Sequence, residues 1–150
     1  MKKTVIFDLD GTLALIEKRR AKATKPDGKI NWGIFFAPEN IQLDEPNPSV
    51  IEMAKMLYKQ GHSVVIFSGR DSISRAETIA WLEQYGVKFD VLKMRPRNTF
   101  TPDDVLKKDW LDQLFPDRSD VLCVFDDRDK VVKMWRENGV ACYQVAPGDF

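Results

Sequence analysis

Apolar and β-branched residues cluster at positions 4–7, 63–67, 89–92, 121–125 and 141–145, each run having the length of a buried strand rather than a helix. Stretches with helical spacing alternate with them. Asn47 and Pro48 have the chemistry of an N-cap and a first helical position, Val50, Ala54 and Leu57 mark a stripe behind them, and Gly61 closes the segment. A second helix is expected over 71–85, with Ile73, Ala76, Ile79, Ala80 and Leu82 inward and Gly86 as its stop. A third is expected over 102–115 with Leu106, Trp110 and Leu114 inward, and a fourth carries Val131, Val132 and Trp135 up to Asn138-Gly139. Strands alternating with helices predict an α/β fold, a three-layer Rossmann-like domain with a mostly parallel sheet. Residues 14–46 break the rhythm. They are polar, contain Pro26, Pro38 and Pro46, and are too long for a simple connection, which predicts a small inserted cap on a single domain spanning 1–150.

The 23 basic and 23 acidic residues cancel, so attraction to a polyanion has to come from local clustering rather than a global field. The cysteines, Cys123 and Cys142, lie inside apolar runs and are expected to be reduced and packed as small hydrophobes. No apolar run reaches transmembrane length and the N-terminal residues lack a signal-peptide core, so the expected location is cytoplasmic, with no membrane partner.

The chemistry starts at the end of the first strand, Phe7-Asp8-Leu9-Asp10-Gly11-Thr12. Alternation along a strand sends Asp8 and Asp10 the same way, to the carboxyl edge where open α/β sheets bind ligands. Two adjacent carboxylates repel unless a cation or a division of labour separates them, and Mg2+ with a phosphate substrate would supply that cation. An ordinary Asp-Gly turn is the simpler alternative. The second strand delivers Ser68-Gly69-Arg70 to the same edge, and the fourth delivers Asp126-Asp127. His62 reads as a turn residue, and Trp81, Trp110 and Trp135 read as core.

These three signatures, with a lysine on the third helix as a fourth, resemble the ordered motifs of the haloacid dehalogenase (HAD) superfamily, and most closely the 3'-phosphatase domains of phage polynucleotide kinases. Asp126-Asp127-Arg128 followed by Val131-Val132-Lys133-Met134-Trp135-Arg136, and the closing Gln144-Val145-Ala146-Pro147-Gly148-Asp149-Phe150, carry the narrower likeness, and Ser68-Gly69-Arg70 and Asp103-Asp104-Val105-Leu106-Lys107 support it. The resemblance implies a phosphoric monoester hydrolase acting through an aspartyl-phosphate. Asp8 would be the nucleophile and Asp10 the general acid and base. Ser68 and Lys107 would stabilise the phosphoryl oxygens, with Lys108 the alternative lysine. Thr12, Arg19, Gly69 and Arg70 would bind substrate, with Arg20 the alternative to Arg19. Mg2+ would be held by Asp8, Asp10 through its carbonyl, Asp126 and Asp127.

Lys18, Arg19, Arg20, Lys22, Lys25 and Lys29 in the insert, and Lys93, Arg95 and Arg97 further on, would form a positive mouth for a 3'-phosphorylated nucleic acid end or a nucleotide. Trp32, Phe35 and Phe36 would either anchor the insert or stack on a base. No Gly-x-x-x-x-Gly-Lys-Ser/Thr phosphate loop occurs in this chain, so it has no ATP-binding loop of its own; a kinase or ligase partner stays open. Three readings result: a polynucleotide 3'-phosphatase acting on DNA or RNA, a phosphatase of nucleotides or other small phosphoesters, and a non-enzymatic phospho-accepting receiver.

Overall fold

The computed structural model describes residues 2–150. In chain order its main elements are β1 (Thr4–Phe7), β2 (Ala14–Leu15), α1 (Glu17–Ala23), α2 (Trp32–Phe35), β3 (Glu45–Pro46), α3 (Pro48–Lys59), β4 (Ser63–Asp71), α4 (Arg75–Gln84), β5 (Val91–Arg95), α5 (Asp103–Leu114), β6 (Val121–Asp126), α6 (Asp129–Glu137) and β7 (Cys142–Gln144). The five longer-range strands form one sheet in the order β5-β4-β1-β6-β7, with every neighbouring pair parallel. β1 is its centre, and all four of its residues are buried, as a strand covered on both faces requires. Val5 and Phe7 pack on one side with Val50, Ile51, Ala54, Trp81 and Leu82 from α3 and α4. Ile6 packs on the other with Leu106, Trp110, Leu111, Val131, Val132 and Trp135 from α5 and α6. The chain winds outward from β1 in both directions, so a crevice opens between the carboxyl ends of β1 and β6.

Residues 14–46 contain α1, α2, a 3-10 helix over Pro38–Leu43 and a short antiparallel pair in which Ala14 faces Pro46. Asn47 does precede α3, but its side chain makes no capping bond. Its Nδ2 donates instead to the Thr12 carbonyl at 2.9 Å, tying the start of the helix to the turn after β1.

Several boundaries differ from the pattern. Ser68-Gly69-Arg70 lies within β4, where the ladder to β5 resumes at Asp71–Arg95 after a bulge. The Asp71 carboxylate then accepts from the Ile73 amide and sets up a 3-10 turn, so α4 begins only at Arg75. That shift leaves Ile73 exposed, turns Ala76 and Ala80 outward, and buries Thr78, Trp81 and Leu82. β5 starts later than expected and carries Lys93 and Arg95 as strand residues rather than loop residues. Leu114 is exposed, its place on the buried face of α5 being taken by Leu111. Cys123 and Cys142 are free and buried on the paired strands β6 and β7, and burial pushes the Cys142 thiol up to about 12. Among the described residues no helix is long and apolar enough to cross a membrane.

Candidate active site

β1 ends at Phe7, and the Asp8 amide donates to the Phe125 carbonyl at 2.9 Å, carrying the ladder one residue beyond the strand. Asp8 is therefore fixed at the crevice. Thr12 Oγ1 donates to its Oδ2 at 3.1 Å and Lys107 Nζ to its Oδ1 at 2.8 Å. The same ammonium donates to Asp126 Oδ2 at 3.0 Å, and Trp135 Nε1 donates to that oxygen at 3.1 Å. Lys107 can reach inward because it lies one helical turn from Trp110 and Leu111 on the buried face of α5; Lys108 points out and pairs with Asp112.

Carboxylate oxygens of Asp8, Asp126 and Asp127 lie within 4.8 Å of one another, and all three residues are buried. Burial first, then the Asp126 charge, push Asp8 well above the ordinary carboxylate range despite Lys107. Burial and Asp126 raise Asp127 in the same way. Although burial opposes its charge, Asp126 and Asp8 raise Lys107 above the usual lysine value, so it stays an ammonium. Fully ionised, the three carboxylates against one ammonium carry an excess of two negative charges, which one divalent cation would balance, and such a cation would hold them ionised against the burial that raises Asp8 and Asp127. The all-oxygen donor set suits Mg2+. Gly11, at φ +81°, is needed at this wall because a Cβ there would collide with the Asp127 carboxylate.

Asp10 takes different partners, and this is how the chain separates its adjacent carboxylates. Arg19 Nη2 and Arg70 Nε donate to Asp10 Oδ1 at 2.6 and 2.7 Å. Both arginines also grip Asp44, Arg19 through Nε and Nη2 at 2.9 Å each and Arg70 through Nη2 at 2.6 Å. Burial works to raise Asp10, but Arg70 and Arg19 outweigh it and bring the group down to about 2. The four charges form a closed neutral square. Thr78 and the Phe35 carbonyl satisfy further guanidinium donors, Arg19 lies 4.4 Å over the Phe35 ring, and Trp81 Nε1 donates to the Asp44 carbonyl.

Sequence reasoning singled out Arg19 and Arg70 but placed them on the substrate. In this structure both are fully buried behind Asp10, and neither lines the cleft. Thr12 is likewise fully buried, its hydroxyl spent on Asp8. Ser68 is buried, with Oγ accepting from the Arg70 amide at 3.1 Å. Gly69 does line the cleft, where a Cβ would sit 2.6 Å from Asp103. Asp103 in turn binds Arg95 at 2.5 Å and Arg128 at 3.1 Å. Asp44 was missed altogether. Nothing around it forms a motif, and only the absence of another partner for two buried arginines could have pointed to it. Trp81 and Trp135 are core residues as expected, but each also donates its indole N–H into the site. His62 accepts from the Lys3 amide, away from these groups.

The cleft above the site has a volume of about 1020 Å3. The expected positive mouth is partly consumed by internal contacts. Lys18 binds Glu45, Arg19 is buried, Lys22 binds Asn40, Lys93 rests over Trp110, and Arg95 is locked to Asp103, Gly69 and Thr101.

Residues 2–150 match the family described as the polynucleotide kinase PNKP phosphatase domain. The chain is 32% identical over 137 residues to a polynucleotide kinase/RNA ligase of Autographa californica nuclear polyhedrosis virus, covering 90% of this chain and 18% of that protein. It superimposes with a TM-score of 0.82 and 34% identity on a chain of the Pnkp1/Rnl/Hen1 RNA repair complex, covering 99% of this chain and 44% of that one. The chain thus spans less than half the length of these relatives. A haloacid dehalogenase-like hydrolase of Streptococcus pneumoniae shares the fold, with a TM-score of 0.71 at 14% identity over 95% of this chain and 84% of that one. With Asp8, Lys107 and the acidic pair gathered at the crevice of a parallel sheet, the chain belongs to the polynucleotide kinase PNKP phosphatase-domain family and is a HAD phosphatase.

Proposed function

We propose that this phosphatase is Mg2+-dependent and removes the 3'-phosphate from polynucleotide ends. The observation that carries the chemistry is the Asp8 carboxylate held by Thr12 and Lys107 beside Asp126 and Asp127, at the foot of a cleft large enough for a nucleotide. The family supports the polynucleotide substrate.

Asp8, Asp126 and Asp127 would hold the cation, which when bound neutralises carboxylate charge that would otherwise repel a phosphate dianion. An Asp8 oxygen attacks phosphorus, forming the aspartyl-phosphate P–O bond as the bond to the 3'-oxygen breaks. Lys107 neutralises a phosphoryl oxygen, and Ser68 donates to another once its hydroxyl turns toward the crevice. Asp10 protonates the departing 3'-oxygen. It then takes the proton of the water that attacks phosphorus, releasing inorganic phosphate and restoring Asp8. The arginine pair favours the ionised, base-ready Asp10, so the first half of the cycle is the one the clamp opposes.

A panel of phosphoesters with added Mg2+ tests the reading. Release from a 3'-phosphorylated oligonucleotide should exceed release from free nucleotides and sugar phosphates, with a salt-sensitive preference. Faster release from the small esters would assign the enzyme to them instead. A single stoichiometric phosphorylation without turnover would indicate a receiver.

A further inference from the structure

Arg20 is the one cation of the 14–46 segment that lines the cleft, and it has no carboxylate partner among the described residues. It is exposed on α1, adjacent to the buried Arg19 but pointing elsewhere. Its guanidinium lies 5.4 Å from the centre of the Phe150 ring. Arg128, the residue after Asp127, also lines the cleft and approaches the same ring, likewise at 5.4 Å, while its Nε donates to the Phe150 carbonyl and its Nη1 to Asp103. Two arginines, one on α1 and one just before α6, thus converge on one aromatic side chain that lines the cleft. Arg20 keeps its guanidinium donors free, and Arg128 keeps Nη2. The same cleft also carries exposed aromatic surface: Trp32 and Phe100 line it and are 56% and 89% exposed.

One carboxylate, Asp103, is shared by Arg95 and Arg128, and Arg20 has none, so this part of the cleft keeps an excess of positive charge that an anion would balance. The scissile phosphate belongs deeper, at Asp8 and Lys107, so the anion at the mouth is a different one. On a polynucleotide the next anion along is the phosphodiester joining the last two nucleotides, and the exposed rings suit the bases on either side of it. We propose that Arg20, with Arg128, binds this internucleotide phosphodiester, so that the cleft separates a polynucleotide end from a mononucleotide. The inference rests on the polynucleotide reading above and names the contact that reading requires.

The test compares two 3'-phosphorylated trinucleotides, one natural and one with a neutral methylphosphonate as its last internucleotide linkage. The wild-type enzyme should prefer the charged linkage by about tenfold in kcat/KM, the size of one solvent-accessible charge-assisted contact. Arg20→Ala should abolish that preference through KM on the charged substrate and flatten the dependence of log kcat/KM on log salt; Arg20→Lys should retain part of both. Arg20 is exposed, so the substitution leaves the core intact. Turnover of both substrates with the same preference in wild type and Arg20→Ala overturns this inference alone. Failure of the wild-type enzyme to hydrolyse either trinucleotide, with hydrolysis of small phosphoesters retained, overturns the polynucleotide reading and this contact with it.

Discussion

Replacing Asp44 by Asn tests the buried charge square most severely. The Asp44 carboxylate is fully buried and accepts three guanidinium bonds, two from Arg19 and one from Arg70, at 2.6–2.9 Å. An amide keeps the shape but presents one N–H2 to a guanidinium, and it leaves two buried cations sharing the Asp10 charge. Removing one partner from a buried ion pair costs about 3–5 kcal/mol. For a domain of this length each kcal/mol shifts the melting temperature by about 2–4 °C, so Asp44→Asn should melt roughly 10 °C below wild type. Thermal denaturation followed by circular dichroism reads that shift directly. Because the arginines also position Asp10, turnover should fall with the remaining folded protein. The double variant Asp44→Asn/Arg19→Met restores charge balance and should cost less than the two single changes added together, with a coupling above about 1 kcal/mol. A loss below about 1 kcal/mol for Asp44→Asn, or simple additivity, would refute the view of these four residues as one electrostatic unit.

Lys107→Met should cost at least about a hundredfold in turnover, as loss of a transition-state charge contact does, while leaving an excess of three negative charges; added Mg2+ should therefore raise its melting temperature more than it raises that of wild type. Gly11→Ala should weaken Mn2+ binding measured by electron paramagnetic resonance, because its Cβ displaces the Asp127 carboxylate. Asp10 has a depressed folded value of about 2 against an ordinary 3.8, so its stabilising contribution is fully present above pH 3.8 and vanishes as pH falls through 2. At neutral pH the shift corresponds to about 2 kcal/mol, and the stability gap between wild type and Asp10→Asn in urea titrations should close over that window. Asp10→Asn should also lose more activity on a sugar-hydroxyl leaving group than on p-nitrophenol, which departs without a proton.

The sheet was legible because each strand is a short apolar run ended by a polar residue, and the sheet edge places the ends of β1 and β6 side by side. Asp8, Asp126 and Asp127 follow from that placement, and the helical position of Lys107 beside Leu106 and Trp110 decides its direction over that of Lys108. Less legible were the groups whose role depends on what else the fold brings near. Arg19 and Arg70 carry the charge of substrate contacts, but Asp44, 25 residues beyond Arg19, draws both inward. The 3-10 turn started by Asp71 displaced α4 from its apparent hydrophobic stripe, since an Asp side chain bonding the local backbone competes with helix initiation there. The basic residues of the insert looked like a polyanion surface until Glu45, Asn40 and the core claimed half of them, Lys18, Lys22 and Arg19.

The central claim is that phosphorus passes through Asp8. Rapid acid quench during turnover of a 3'-phosphorylated oligonucleotide with Mg2+, followed by peptide mass spectrometry, reads it directly. The account predicts a transient phosphoryl group on Asp8 that is absent from Asp8→Asn; phosphate release at an undiminished rate by Asp8→Asn, or a phosphoryl group found on another residue, would contradict it.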